Sequence, residues 1–135
     1  MPSPRVNLHH VGIIVPDLEQ VQALLDLLGL ESGRTQYVPP YDADCIFTQG
    51  ERGVVEFVVP RGGVLTRFNK GLGGLHHIAL EVDDLERQCS ELRAKGVELL
   101  SERPVDAGPI LINFLPPAYT RGIIVELVQV KVDGS

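Results

Sequence analysis

Apolar positions change period twice along this chain, in the same order each time. "LHHVGIIV" at residues 8–15 and "LHHIALEV" at 75–82 are aliphatic, β-branched runs of strand length. Directly after each run the period lengthens. Leu18, Val21, Leu24, Leu25 and Leu28 recur at helical spacing behind Asp17, and Leu85, Cys89 and Leu92 form a sparser stripe behind Asp84. The two aspartates are good N-caps, and Gly29 and the Lys95-Gly96 pair close the two runs. Short apolar strands follow. "DCIFTQGERGVVEFVV" and "PILINFLPPAYTRGIIVELVQV" each read as a hairpin, the second with the longer loop. "RTQYVPPYDAD" at 34–44 reads either as an ordinary turn-rich connection or as a loop that shapes a pocket, and the glycines of "RGGVLTRFNKGLGG" mark a linker at about 61–73. Each half is therefore expected to run β-α-β-β-β, as modules of about 6–60 and 74–130 within one domain spanning 1–135.

The halves are copies. An offset of 67 residues superposes Leu8 on Leu75, His9 on His76, His10 on His77, Val15 on Val82 and Asp17 on Asp84. A second echo pairs "RGVVEFV" at 52–58 with "RGIIVELV" at 121–128. Two copies are too few for a solenoid, so a closed pair with pseudo-twofold symmetry fits better.

Composition narrows the partners. A chain of 135 residues with 44% hydrophobic content makes a single domain with a real core. The formal net charge of −6 with scattered basic residues argues against nucleic acid or an anionic membrane surface and leaves small molecules. No apolar run has the length of a membrane span or the pattern of a signal peptide, so the expected compartment is the cytoplasm. Cys45 and Cys89 lack metal-site spacing and are expected to be reduced thiols, Cys89 in the core.

Strand alternation decides which histidine of each pair carries chemistry. His76, Ile78, Leu80 and Val82 share an apolar face suited to packing under a helix, as do His9, Val11, Ile13 and Val15. The opposite face carries His77 with Ala79 and Glu81, and His10 with Gly12. Glu56 and Glu126 are each ionisable within an otherwise apolar strand, where an unpaired charge costs several kcal/mol, roughly, unless paired or metal-bound. Two imidazoles and two carboxylates, one of each per copy, suit a divalent metal with open positions: His10, Glu56, His77 and Glu126. His9 and His76 fall to packing, and Glu81, with Ile14 as its counterpart, to a cavity rim.

With these residues in place, the chain over about 6–129 resembles the vicinal oxygen chelate superfamily of glyoxalase I, extradiol dioxygenases and bleomycin-resistance proteins. "FNKGLGGLHHIALEVDDLE" and "INFLPPAYTRGIIVELVQ" are most similar to the methylmalonyl-CoA epimerase family. The resemblance implies an α+β fold in which the two βαβββ modules form a curved mixed sheet around a metal site. It implies the same four ligands, a divalent ion such as cobalt, manganese, nickel or zinc, a homodimer, and an acyl-CoA or similar small-molecule substrate. The implied activity is epimerisation of a 2-substituted malonyl-CoA or related acyl thioester by α-proton abstraction, the metal stabilising the enediolate.

Glu126 is the first candidate base. Some of these epimerases place a second, a Glu, before the first hairpin; by register that place is Cys45, with Asp44 beside it, and of the two Asp44 is the expected second base and Cys45 the match in register. The family's His-Pro-Lys-Ser loop is replaced by "PPAYTRG". A glyoxalase I-like lyase shares the His/Glu donor set but closes on a different turn. An extradiol dioxygenase leaves Glu56 surplus, and a non-enzymatic binding or resistance protein needs no metal set.

Overall fold

The computed structural model describes residues 6–50 and 54–132. Its strands and helices run β1 (Asn7–Ile14), α1 (Leu18–Leu28), β2 (Ser32–Val38), β3 (Ala43–Thr48), β4 (Val54–Pro60), then β5 (Gly74–Glu81), α2 (Leu85–Ala94), β6 (Val105–Asp106), β7 (Ile110–Leu115) and β8 (Ile124–Val130). The β-α-β-β-β order is thus present twice. Arg52 and Gly53, which open the first copy of the second echo, lie outside the described residues. The chain forms two compact units, His10–His76 and the described residues before His10 together with those from His77 on.

In the first unit the strand order is β2-β3-β4-β1, with β2/β3 and β3/β4 antiparallel and β4/β1 parallel. In the second it is β6-β7-β8-β5, with the same alternation of directions. Each set of four strands is mixed because the helix carries the chain over from the first strand, which pairs parallel with the last.

The helices sit where capping chemistry places them. Asp17 accepts the Gln20 backbone N–H at 2.9 Å, and Gly29, at φ 70°, ends α1 in the left-handed conformation. Asp84 accepts the Arg87 N–H at 3.1 Å; beyond Lys95, the Gly96 and Val97 N–H groups return to the Arg93 and Leu92 carbonyls. Val21 and Leu25 of α1 pack on Val15, Ile46, Phe57 and Val59. In α2, Leu85 and Cys89 pack on Val82, Leu99, Val125 and Leu127. Burial pushes the Cys89 thiol pKa up, in keeping with a packing role. Among the described residues no helix is long and apolar enough to cross a membrane.

The stretch 34–44 departs from the expected loop. Its first half is β2, whose Gln36 and Tyr37 stand opposite Cys45 and Asp44 of β3; only Pro39–Tyr41, a 3-10 turn, and Asp42 connect the strands. The apolar signal is weak there because β2 is an edge strand, and a sheet edge tolerates polar residues on both faces. Further on, Gly73 (φ 77°) passes so close to β1 that a Cβ there would stand 2.3 Å from the Ile14 carbonyl oxygen. Glycine is the sole residue that fits.

Candidate functional site

Parallel pairing puts each glutamate level with a small residue of the neighbouring strand. Glu56 stands opposite Gly12, and Glu126 opposite Ala79. Gly12 and Ala79 lie two residues after His10 and His77, on the same strand face. The missing bulk leaves room for the carboxylate to lean back along the strand to the imidazole. The His10 Nε2–Glu56 Oε1 and His77 Nε2–Glu126 Oε1 distances are both 3.2 Å. All four side chains are buried, with His10 at 0% and Glu56 at 6% exposure.

The histidine that sequence parity singles out in each half is the one joined to the glutamate of its own half. His76 instead meets the Phe68 ring edge-on with centroids 5.0 Å apart, and His9 is half-buried. The donor set also fits a metal. Adjacent donors on an octahedral or tetrahedral ion with bonds of about 2.1 Å stand about 3.0–3.4 Å apart, which brackets the spacing in both pairs. Imidazole and carboxylate are ligands for borderline divalent ions.

Aromatic rings complete each pair. Phe47, opposite Glu56 in the β3/β4 register, meets His10 edge-on with centroids 5.3 Å apart at 90°. Phe114, opposite Glu126, meets His77 at 5.8 Å and 89°. The rings exclude water from the imidazoles and limit their rotation. Their contacts with the histidines went unread in the sequence, although the two phenylalanines are related by the 67-residue offset of the His-His pairs.

Asp44 lies on the opposite face of β3 from the His10–Glu56 pair. It alternates with Cys45 on β3 and shares the face of Ile46, which packs under α1, while Cys45 and Phe47 share the face of Glu56 and His10. Arg61 grips the Asp44 carboxylate with two hydrogen bonds, of 2.8 and 2.9 Å, and holds its pKa below the usual carboxylate value. Of the two candidates beside β2, the buried Cys45 is the one on the Glu56 face.

Asn113, fully buried, serves the second unit differently. Its Oδ1 accepts the Ser101 N–H (3.0 Å) and the Phe114 N–H (2.8 Å), and its Nδ2 donates to the Ser101 carbonyl (2.9 Å). The Asn-Phe dipeptide thus fixes the backbone that presents the Phe114 ring.

Comparison with known proteins agrees with this architecture. The family model described as the Glyoxalase/Bleomycin resistance protein/Dioxygenase superfamily matches residues 9–114. The chain is 33% identical over 131 residues to the mitochondrial methylmalonyl-CoA epimerase of Bos taurus, covering 91% of this chain and 74% of that protein. It is 34% identical over 133 residues to an ethylmalonyl-CoA/methylmalonyl-CoA epimerase of Cereibacter sphaeroides, covering 92% and 98%. Among solved structures, methylmalonyl-CoA epimerase from Mycobacterium tuberculosis superposes with a TM-score of 0.84 at 27% identity, over 93% of this chain and 89% of that one.

Proposed function

Because the chain belongs to the glyoxalase/bleomycin resistance protein/dioxygenase superfamily, we propose that it is a metal-dependent epimerase of a 2-substituted malonyl-CoA or related acyl thioester. The observation that carries this reading is the repeat-related pair of buried His–Glu contacts in a chain whose relatives, over nine-tenths of its length, are epimerases of such thioesters. A non-enzymatic binding protein gives no reason to bury two imidazoles with two carboxylates, since burying charge is costly.

His10, Glu56, His77 and Glu126 are proposed to hold one divalent ion: cobalt, manganese, nickel or zinc. Held by these four residues, such an ion would supply Lewis-acid polarisation to a substrate carbonyl. Glu126 accepts the α-proton; its burial beside His77 keeps water from competing for it. Cys45 is the proposed second proton carrier, returning a proton to the other side of the same carbon. Phe47 and Phe114 hold His10 and His77 in orientation while substrate enters and leaves. The protein is proposed to work as a cytoplasmic homodimer, and light scattering at micromolar concentration tests the assembly.

Deuterium wash-in at the substrate α-carbon tests the activity, because it reports proton abstraction even where net epimerisation is slow. Metal-loaded protein is expected to exchange deuterium into methylmalonyl-CoA or ethylmalonyl-CoA. Absence of exchange with all four metals, alongside turnover of a hemithioacetal, would replace this reading with a lyase.

A further inference from the structure

The first unit carries a cation that the mechanism above leaves unused. Arg34 of β2 places its guanidinium carbon 4.3 Å above the centroid of Phe47, the ring that abuts His10. Register explains how it gets there. The β2/β3 pairing shifts between Ser32 and Thr35: Ser32 stands opposite Thr48 and Thr35 opposite Ile46, so β2 has one residue too many. That extra residue is Gly33, where a Cβ would stand 3.0 Å from the Phe47 carbonyl oxygen. On the Thr35–Val38 side of the shift Gln36 stands opposite Cys45, and plain alternation from Gln36 puts Arg34 on the same face, that of Phe47, Cys45 and Glu56.

Arg34 is exposed, and among the described residues no carboxylate pairs with it. Partial burial draws its pKa below the ordinary value, while the Glu56 carboxylate and Cys45 oppose that shift. Arg61 makes the contrast: it also stacks on an aromatic ring, Tyr37, at 4.1 Å, yet both arms of its fork are committed to Asp44. Arg34 has the same stacking with its donors left over. A guanidinium fixed over a ring, beside a buried carboxylate and with an open fork, is suited to bidentate recognition of an incoming carboxylate or phosphate.

We infer that Arg34 is the specificity-determining residue of the site and binds the free carboxylate of the malonyl-type acyl group, the shared oxyanion chemistry leaving the carrier's phosphates as the competing source. This inference rests on the epimerase reading. It assigns discrimination between carboxylated and plain acyl thioesters to a residue outside the four proposed ligands.

The test is equilibrium binding, by calorimetry, of methylmalonyl-CoA, propionyl-CoA and methylmalonyl-pantetheine to metal-loaded wild type, Arg34→Gln and Arg34→Lys. Arg34→Gln is expected to weaken methylmalonyl-CoA by about 10- to 100-fold, the worth of a charge-assisted bidentate pair, with propionyl-CoA unchanged within about twofold. Methylmalonyl-pantetheine, which lacks the nucleotide phosphates, should lose as much as methylmalonyl-CoA, and Arg34→Lys should recover part of the loss. Equal weakening of propionyl-CoA and methylmalonyl-CoA, with the pantetheine ester spared, would move Arg34 to the carrier phosphates and overturn the inference. So would a loss of metal affinity in Arg34→Gln, by chelator competition, large enough to account for the weaker binding. Failure of wild type to bind any of the thioesters would remove the epimerase reading itself, an outcome distinct from loss of discrimination alone.

Discussion

The first and second halves hold the same His–Glu contact at the same 3.2 Å and support it by different means. In the first half the ring against the histidine lies under an exposed cation, Arg34, carried by a seven-residue edge strand. In the second half the corresponding edge strand, β6, has two residues, and the ring is presented by a backbone that buried Asn113 ties to Ser101. The four strands that carry His10, Glu56, His77 and Glu126 have little freedom to diverge, because each is packed under a helix on one face and carries a buried histidine or glutamate on the other. The edge strand is bound by neither constraint. A duplicated fold of this kind therefore keeps its buried His–Glu contacts symmetric and diverges at its edges.

Four measurements break or sharpen that comparison. The largest effect is expected from His10→Ala and His77→Ala, each of which should abolish stoichiometric loading, with affinity falling by more than the roughly 10- to 100-fold typical of outer supporting groups. Elemental analysis after dialysis reads this; full loading in both variants would show that the two contacts are not ligands. Next, Glu126→Gln should suppress deuterium wash-in by roughly 10²-fold or more, the scale of a lost general base, while Glu56→Gln should act mainly through metal affinity. Equal loss of exchange at saturating metal would make the halves chemically equivalent. Cys45→Ala belongs with this pair: it should spare wash-in into one epimer while slowing conversion to the other.

Stability separates the halves further. Asn113→Ala strands the Ser101 and Phe114 N–H groups and should cost about 2–3 kcal/mol in urea unfolding. Ile46 is its counterpart at the 67-residue offset, and Ile46→Val should cost about 1 kcal/mol. The smallest effect belongs to the surface pair Asp44–Arg61, whose side chains are 22% and 55% exposed. Asp44→Asn should cost below about 1 kcal/mol. Arg61 lowers the folded-state pKa of Asp44, so this contribution is present above the unfolded value of about 3.9 and disappears as the pH falls through the lower folded one. A pH-independent cost would point to packing against Tyr37 instead.

Much of this was legible in the sequence because it is repeated. Alternation separated His10 from His9 and His77 from His76, and the capping aspartates fixed both helix starts to the residue. The same alternation, carried back along β3, distinguishes Asp44 from Cys45, but it needs the register with β4, and a hairpin with a loop of unfixed length does not supply one. Arg34 was hidden for a related reason: an edge strand interrupted by a bulge has neither an apolar face nor an unbroken period of two. Phe47 and Phe114 were hidden by their ordinariness, since a phenylalanine in a strand usually means core.

The close passage of Gly73 over Ile14 has a reading in genetics. Every missense change at that codon places a side-chain carbon inside a backbone carbonyl, so all alleles there should behave as folding nulls, alike at every substrate level and unrescued by added metal. Alleles at Arg34 should behave in the opposite way, leaving protein abundance intact and becoming visible when growth depends on a carboxylated acyl thioester. A saturation scan scored for both abundance and growth would sort the chain along that axis, with codon 73 marking the end at which architecture alone decides fitness.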